Sequence, residues 1–256
     1  MQTDPVALEN PIVLIHGLGA QSRYGPVEYF YGLPQLLKKA HNKVIIVNLT
    51  AWHTIEHRAK QLKIQIEKAL PEGKVNLVGH SMGGLDARYL ASQLDFGDRI
   101  ASVTTIGTPN RGTTVGDIAA GLLPNSAFST ADRFLKFMGS SSGALKQITR
   151  EYCTGEFASL THKVSGVAYF SATSAIVNPF MSRSLPIFWI PYRILSKLEG
   201  DNDGFVSVES SKWGDHICTY AGDHYSQIGQ FLGRSRGMDY IKFYNEIFHH
   251  LKKQGM

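Results

Sequence analysis

This 256-residue chain has little charge, little cysteine and no long apolar run, and each of these shortages excludes a class of protein. Charged residues make up 18% against 43% apolar residues, a balance typical of a folded globular protein and unlike a disordered chain. No stretch approaches the roughly 18 uncharged apolar residues that a membrane span needs. The length fits one large domain, and we expect residues 1–256 to form it without a transmembrane segment.

The two cysteines, Cys153 and Cys218, allow at most one disulfide and exclude a small disulfide-dense module. The net charge of +5 is spread along the chain, so no nucleic-acid partner is predicted. The first residues show no basic segment followed by an apolar core and a cleavage site, so no N-terminal signal is predicted. The pairing of the cysteines, the oligomeric state and the localisation stay open.

Short β-branched runs alternate with amphipathic segments along most of the chain. This alternation predicts an α/β fold with a mostly parallel central sheet covered by helices on both faces. The predicted strands are Pro11–Ile15, Val44–Asn48, Val75–Val78, Ile100–Ile106 and Lys163–Ser171. The predicted helices begin near Pro34 and span Thr54–Leu70, Ser81–Leu94 and Asp239–Lys253.

Gly79-His80-Ser81-Met82-Gly83-Gly84 follows one predicted strand directly and opens a predicted helix. The pattern G-x-S-x-G in this context predicts a sharp turn that exposes the Ser81 hydroxyl at the carboxyl end of the sheet. Glycines are needed there because side chains at the flanking positions would clash. The helix N-terminus would also favour negative charge that develops beside the serine.

His16-Gly17-Leu18-Gly19 follows the first predicted strand, where a glycine-rich loop allows backbone to approach a substrate closely. In a fold with this serine turn, the loop supplies one backbone N–H of an oxyanion hole and the residue after the serine supplies the other. The amides of Leu18 and Met82 are therefore the predicted oxyanion donors.

A serine nucleophile needs a base, and the base needs an orienting acid. Both are expected after Ser81, with the acid first. The residues leave two candidate bases, His216 and His224. The acid is predicted to be Asp203, in an Asn-Asp-Gly turn, with Asp201 as the fallback.

Five segments together resemble the bacterial true lipases, the family I triacylglycerol lipases of Pseudomonas, Burkholderia and Proteus type. They are PIVLIHGLG, VNLVGHSMGG, IGTPNRG (106–112), NDGFVSVESSKWG (202–214) and DHYSQIGQ (223–230). The segments occur in order over nearly the whole chain. The resemblance implies an α/β-hydrolase fold, with Ser81 as nucleophile, Asp203 as acid and His224 as base. It also implies a lipid ester substrate that is met at a lipid–water interface and is cleaved through an acyl-enzyme intermediate.

The same resemblance leaves related activities open. A short-chain carboxylesterase, a phospholipase or a lipid acyltransferase could use the same residues, and a binding protein on a decayed hydrolase fold is a further alternative. Secretion would agree with the family, whereas a cytoplasmic location would agree with the absence of a predicted signal.

The family's calcium site and disulfide are predicted to be absent. Ser226 stands where the family has a calcium-binding aspartate, and no acid occurs between Glu156 and Glu199, where the second aspartate would lie. Only Gln230 matches a ligand position, whereas calcium prefers several oxygen ligands. Glu209 occupies the position of the family cysteine. We therefore predict no metal or other cofactor.

Two segments interrupt the alternation and are predicted to be insertions, a helical lid or cap over about 113–160 and an apolar insertion over about 178–200. Ile118–Leu123 and Phe134–Met138 are candidate lid helices, since a lipase exposes apolar surface when its lid opens. His16, Gly17, Phe180 and Ile187 are predicted to contact the substrate.

A competing pattern, His53-x-x-Glu56-His57, matches the inverted zincin motif, in which two histidines on one helix face bind zinc. A zinc metallopeptidase would need a further acidic ligand in a helical fold. Because a strand precedes the motif and the serine turn follows it, this remote alternative has the wrong surroundings.

Overall fold

The computed structural model describes residues 6–122, 143–178, 185–230, 232–233 and 237–256, with side chains except at 185–188. Within these ranges one parallel sheet of six strands forms the centre, in the order β4-β1-β5-β6-β7-β8, and a small antiparallel hairpin, β2-β3, lies apart from it. The strands are β1 (Ile12–Ile15), β2 (Arg23–Tyr24), β3 (Val27–Glu28), β4 (Val44–Ile46), β5 (Val75–His80), β6 (Ile100–Ile106), β7 (Ala168–Ala175) and β8 (Asp215–Ala221).

Helices connect the strands and cover the sheet. They are α1 (Leu33–Lys39), α2 (Ile55–Ala69), α3 (Met82–Gln93), α4 (Thr114–Ala119), α5 (Arg150–Thr154), α6 (Glu156–Leu160), α7 (Leu185–Leu198), α8 (Val208–Ser211) and α9 (Tyr240–Lys253). Single 3₁₀ turns occur at Gly97–Arg99, Lys146–Ile148 and Ser226–Ile228. Side chains cap two of the longer helices, because Thr54 accepts a hydrogen bond from the His57 amide and Asp239 accepts one from the Lys242 amide.

Every residue of the central strands β5 and β6 is buried, as expected for parallel strands covered on both sides. Alternate β1 residues enter two different cores, with Leu14 on one face of the sheet and Val13 on the other. The Leu14 face packs against α1 and α9, and the Val13 face packs against α2 and α3. The predicted α/β architecture is therefore confirmed.

The structure corrects two strand predictions. The strand predicted over Lys163–Ser171 covers Ala168–Ala175 instead, because residues 163–167 form a turn before it. The sequence predicts no strand over Asp215–Ala221, yet this segment pairs with β7 and completes one edge of the sheet. Its residues are only partly buried or exposed, so it lacks the continuous apolar pattern of the inner strands.

The two predicted insertions fall only partly within the described residues. Helices α4, α5 and α6 lie in the first insertion and α7 lies in the second. Phe134–Met138, Leu123 and Phe180 are outside the described residues, as is the side chain of Ile187, so the lid stays a prediction. The two cysteines, buried Cys153 and partly buried Cys218, are free thiols.

Candidate active site

The predicted serine turn stands at the carboxyl end of β5. The backbone changes from strand to helix at Ser81, whose φ of 55° is in the region that residues with a side chain rarely adopt. The neighbouring glycines make this turn possible. A Cβ on Gly79 would lie 2.4 Å from the Gly83 carbonyl oxygen, and one on Gly83 would lie 2.6 Å from the Ile15 carbonyl oxygen.

Asp203 and His224 form a buried pair between the loop that joins α7 to α8 and the loop that follows β8. Asp203 Oδ2 accepts hydrogen bonds from His224 Nδ1 at 2.7 Å and from Gln227 Nε2 at 2.8 Å. Its Oδ1 accepts from the backbone amides of Phe205 at 2.9 Å and Val206 at 2.8 Å. The carboxylate is therefore fixed from both sides, and the pairing through Nδ1 leaves His224 Nε2 as the nitrogen that can act as a base.

The alternative base and acid lie elsewhere. His216 is on the edge strand β8, where its ring nitrogens contact the hydroxyls of Ser171 and Thr219. The Asp201 side chain is exposed, whereas that of Asp203 is fully buried. Geometry thus places Asp203 and His224 together and keeps both alternatives out of the pair.

Ser81 and His224 line the same cavity, which has a volume of about 430 Å³. Most of its wall is apolar, and the predicted oxyanion residues Leu18 and Met82 are part of it. Other lining residues are Tyr24, Val27, Tyr29, Trp52, Pro109, Val115, Ala119, Leu145, Ile148, Phe205, Val206, Tyr225 and Ile228.

The loop after β1 is packed closely against the serine turn. A Cβ on Gly17 would lie 2.9 Å from both the Ser81 Cβ and the Tyr29 hydroxyl, so this position needs glycine. Leu18 follows Gly17, and Met82 is the first residue of α3, where a backbone N–H has no partner within the helix. Leu18 and Met82 thus line the cavity together with Ser81, and their role as oxyanion donors stays a prediction.

His16 has a different position from the one predicted. Its ring is buried and is not among the residues that line the cavity. His16 Nε2 accepts a hydrogen bond from the Leu49 amide at 2.9 Å, so the ring supports the loop instead of facing a substrate. Burial, together with the positive charge of Arg58, lowers the pKa of His16 to about 4. Gly17 is likewise not part of the cavity wall.

A buried arginine that the sequence analysis did not identify holds the same loop. Arg58 donates to the His16 carbonyl at 2.7 Å and to the Thr50 carbonyl at 2.9 Å. Its guanidinium also pairs with Asp86, with both side chains fully buried. Burial raises the pKa of Asp86 to about 6 despite this ion pair. No local motif marks Arg58, since its partners are distant in sequence.

The turn after His224 is held by side-chain hydrogen bonds. Asp223 Oδ1 accepts from the Ser226 amide and hydroxyl, both at 2.8 Å. Gln230 Nε2 donates to the Glu28 carbonyl at 2.9 Å and to the Tyr29 carbonyl at 3.2 Å. Ser226 and Gln230 are thus bonded to protein groups that tie this turn together and to β3.

The inverted zincin pattern does not assemble a metal site. The rings of His53 and His57 stack with centroids 3.7 Å apart, but the Glu56 carboxylate is bonded to Gln147 and Tyr152. Among the described residues no group of three or more histidine, cysteine, aspartate or glutamate side chains is arranged to hold a metal ion.

The α/β-hydrolase fold family matches residues 10–137, which is half of the chain. The chain belongs to the α/β-hydrolase fold family. The match includes the loop after β1 and the serine turn, and it ends before the Asp203 and His224 loops.

The described helices of this α/β hydrolase include none with the length and apolar character of a membrane span.

Named relatives confirm the resemblance to bacterial lipases. This α/β hydrolase is 28% identical to a triacylglycerol lipase of Pseudomonas fragi, over 99% of each chain. It is 39% identical to a triacylglycerol lipase of Vibrio cholerae over 122 residues, which are 46% of this chain and 38% of that protein. In structure it resembles the lipase of Staphylococcus hyicus, with a TM-score of 0.71 over 99% of both chains at 18% identity.

Proposed function

We propose that this α/β hydrolase is a serine hydrolase that cleaves carboxylic esters of lipids, as a triacylglycerol lipase does. Ser81 is the nucleophile, His224 the base and Asp203 the acid that orients it. One observation carries the proposal. The 2.7 Å contact between Asp203 and His224 Nδ1 fixes the base on the wall of the cavity that Ser81 also lines.

The reaction follows from this arrangement. His224 Nε2 takes the proton of the Ser81 hydroxyl as the oxygen attacks the ester carbonyl carbon, and Asp203 stabilises the resulting imidazolium. The amides of Leu18 and Met82 donate to the oxyanion. The imidazolium protonates the departing alcohol, and water then releases the fatty acid from the acyl-enzyme by the same steps.

The cavity wall favours an acyl chain over a polar substrate. Trp52, Val115, Ile148, Phe205 and Ile228 offer apolar surface around the serine. Burying a methylene group on such surface contributes about 0.8 kcal/mol, so each added carbon strengthens binding until the cavity is filled. Such a substrate would be met at a lipid–water interface.

The reaction needs no calcium in this proposal. Calcium prefers several oxygen ligands, and carboxylates above all. At the family's ligand positions the Ser226 hydroxyl donates to Asp223, and the Gln230 amide nitrogen faces two backbone carbonyls. These groups do not fit a calcium site, and their hydrogen bonds hold the His224 turn directly.

The test is a series of p-nitrophenyl esters with acyl chains of increasing length, combined with emulsified triolein and a phospholipid emulsion. We expect kcat/KM to rise with chain length and fatty acid to be released from triolein, with Ser81→Ala as the inactive control. Hydrolysis of soluble short esters alone would indicate a carboxylesterase and contradict the lipase proposal. A preference for phospholipid over triolein would contradict it as well.

A further inference from the structure

His80, the residue before the nucleophile, is a fully enclosed histidine with contacts to two other loops of the site. His80 Nδ1 lies 2.7 Å from the Tyr29 hydroxyl, and Nε2 lies 3.2 Å from the His224 carbonyl oxygen. The Tyr29 hydroxyl in turn lies 3.1 Å from the Gly17 amide nitrogen. One chain of hydrogen bonds thus runs from the predicted oxyanion loop, residues 16–19, through His80 to the loop that carries His224.

The partners decide the tautomer of His80. A carbonyl oxygen only accepts, so the Nε2 atom that faces His224 must carry the proton. In the neutral ring, Nδ1 is then an acceptor, and the Tyr29 hydroxyl donates to it. The Tyr29 oxygen remains free to accept from the Gly17 N–H. Every donor in this chain therefore has an acceptor, with the ring neutral.

We propose that His80 is a positioning residue for the ester hydrolysis, one that fixes the distances between the nucleophile, the base and the oxyanion loop. The inference rests on the proposed function. His80 is covalently joined to Ser81, and its ring bonds the backbone of His224. That backbone is fixed on the other side as well, because the His224 amide donates to the Asp203 carbonyl at 2.9 Å.

The neutral state of His80 is part of this role. The centroids of the His80 and His224 rings lie 4.5 Å apart, so a second positive charge there would oppose the imidazolium that forms on His224 during the reaction. Burial, and to a lesser extent His224, lower the pKa of His80 well below its ordinary value. The hydrogen bond from Tyr29 also favours the neutral ring, which alone offers Nδ1 as an acceptor.

The experiment compares His80→Leu, which removes both ring hydrogen bonds, with His80→Gln, whose amide can reach the Nε2 position and donate to His224. Hydrolysis of p-nitrophenyl butyrate gives kcat and KM, and a thermal melt establishes folding. We expect His80→Leu to lower kcat about tenfold or more with KM within about threefold, because misplacement costs the chemical step rather than binding. His80→Gln should recover at least about a third of the lost activity.

Tyr29→Phe provides a second, independent arm that does not depend on the folding of His80→Leu. Alone it should lower kcat about threefold, since it removes one buried hydrogen bond. Combined with His80→Gln, which leaves the Tyr29 hydroxyl without its Nδ1 acceptor, it should have a smaller effect than alone. Full multiplication of the two effects would contradict the proposed chain.

His216→Leu is the matched control, because this histidine also has two side-chain hydrogen bonds but lies on the sheet edge. It should leave kcat within about twofold, as a surface substitution does. A folded His80→Leu protein with unchanged kcat would overturn the inference. A rise in KM as large as the fall in kcat would overturn it too. Failure of a fluorophosphonate to label the unmodified protein at Ser81 would instead overturn the proposed function.

Discussion

Two pairs of histidines in this protein have nearly the same spacing between their rings and entirely different surroundings. The rings of His53 and His57 are 3.7 Å apart, and those of His80 and His224 are 4.5 Å apart. The first pair comes from one local motif at the start of α2, and His57 is exposed. The second pair comes from residues 144 positions apart, both buried.

The comparison shows that residue types in a motif do not by themselves make a reactive site. In the outer pair, which is His53 and His57, His53 Nδ1 accepts a hydrogen bond from the adjacent Thr54 amide, and the nearby Glu56 carboxylate is bonded to Gln147. In the inner pair, which is His80 and His224, hydrogen bonds between distant loops determine which ring nitrogen is protonated. Ser81 and His224 line one apolar cavity there, and the buried Asp203 carboxylate is bonded to His224, so the inner pair is where we expect chemistry.

The largest effect is expected from Ser81→Ala, which removes the proposed nucleophile beside the pair of His80 and His224. Ester hydrolysis should fall by about 100,000-fold or more, because the remaining residues assist the attack of the Ser81 oxygen and form no acyl-enzyme without it. Stopped and continuous assays with p-nitrophenyl butyrate measure the loss, and a thermal melt checks folding. Residual activity above one per cent, from protein shown to be free of contaminating esterase, would mean that another residue attacks the ester.

Asp203→Asn is expected to have the next largest effect. The asparagine oxygen is needed to accept the backbone hydrogen bonds of the turn. Its NH₂ group then faces His224 Nδ1, where a donor meets the N–H that Asp203 accepts in the unmodified protein. Loss of the correct tautomer and of the charge should lower kcat about 10,000-fold. The same change at Asp201, which is exposed, serves as the control and should leave kcat nearly unchanged.

The protonation of buried His16 gives a stability difference that depends on pH. Its pKa is about 4 in the folded protein and 6.5 as an ordinary value, so the unfolded chain binds more protons between these limits. The free energy of unfolding should therefore fall as the pH is lowered from 6.5 to 4, by up to about 3 kcal/mol from this group.

His16→Gln, which keeps an acceptor for the Leu49 amide, should reduce that pH dependence. Denaturant unfolding at several pH values measures the slope in both proteins. Asp86, with a raised pKa of about 6, acts in the opposite sense, but it is present in both and cancels in the comparison. Identical slopes for the two proteins would contradict the assigned burial of His16.

Chelation and a change in the outer pair are expected to have the smallest effects. Incubation with EDTA should leave ester hydrolysis within about twofold, because hydrogen bonds hold the His224 turn and the donor set does not suit calcium. A loss of activity that added calcium restores would overturn the metal-free proposal.

His57→Ala should also stay within about twofold in kcat, as expected for an exposed side chain away from the cavity. His224→Ala in the same assay provides the contrast between the two pairs. A large loss for His57→Ala, accompanied by bound zinc in the unmodified protein, would favour the inverted zincin motif instead.

Much of the fold could be predicted because its signals are local. The periodicity of α2, with its capping Thr54, and the apolar β5 and β6 indicate their own structures. The serine turn could be predicted for a similar reason, since three glycines surround Ser81 and each relieves a specific close contact. The edge strand β8 could not, because a half-exposed strand is defined by the neighbour with which it pairs.

The supporting part of the site depends on contacts that sequence spacing does not reveal. The sequence places Tyr29 and His80 51 residues apart, and nothing near either one indicates their hydrogen bond. Gln227, bonded to Asp203 and Ser174, carries no motif of its own. His16 illustrates the opposite error, since its place beside the oxyanion loop suggested substrate contact whereas its ring is directed into protein.

Mass spectrometry of the protein after reaction with a fluorophosphonate locates the reactive oxygen directly. The reagent should add once, on the peptide that carries Ser81, and labelling should be slowed at least about 1,000-fold in His224→Ala. Attachment to a different serine, or no attachment at all to folded protein that hydrolyses esters, would contradict the assignment of Ser81 as the nucleophile.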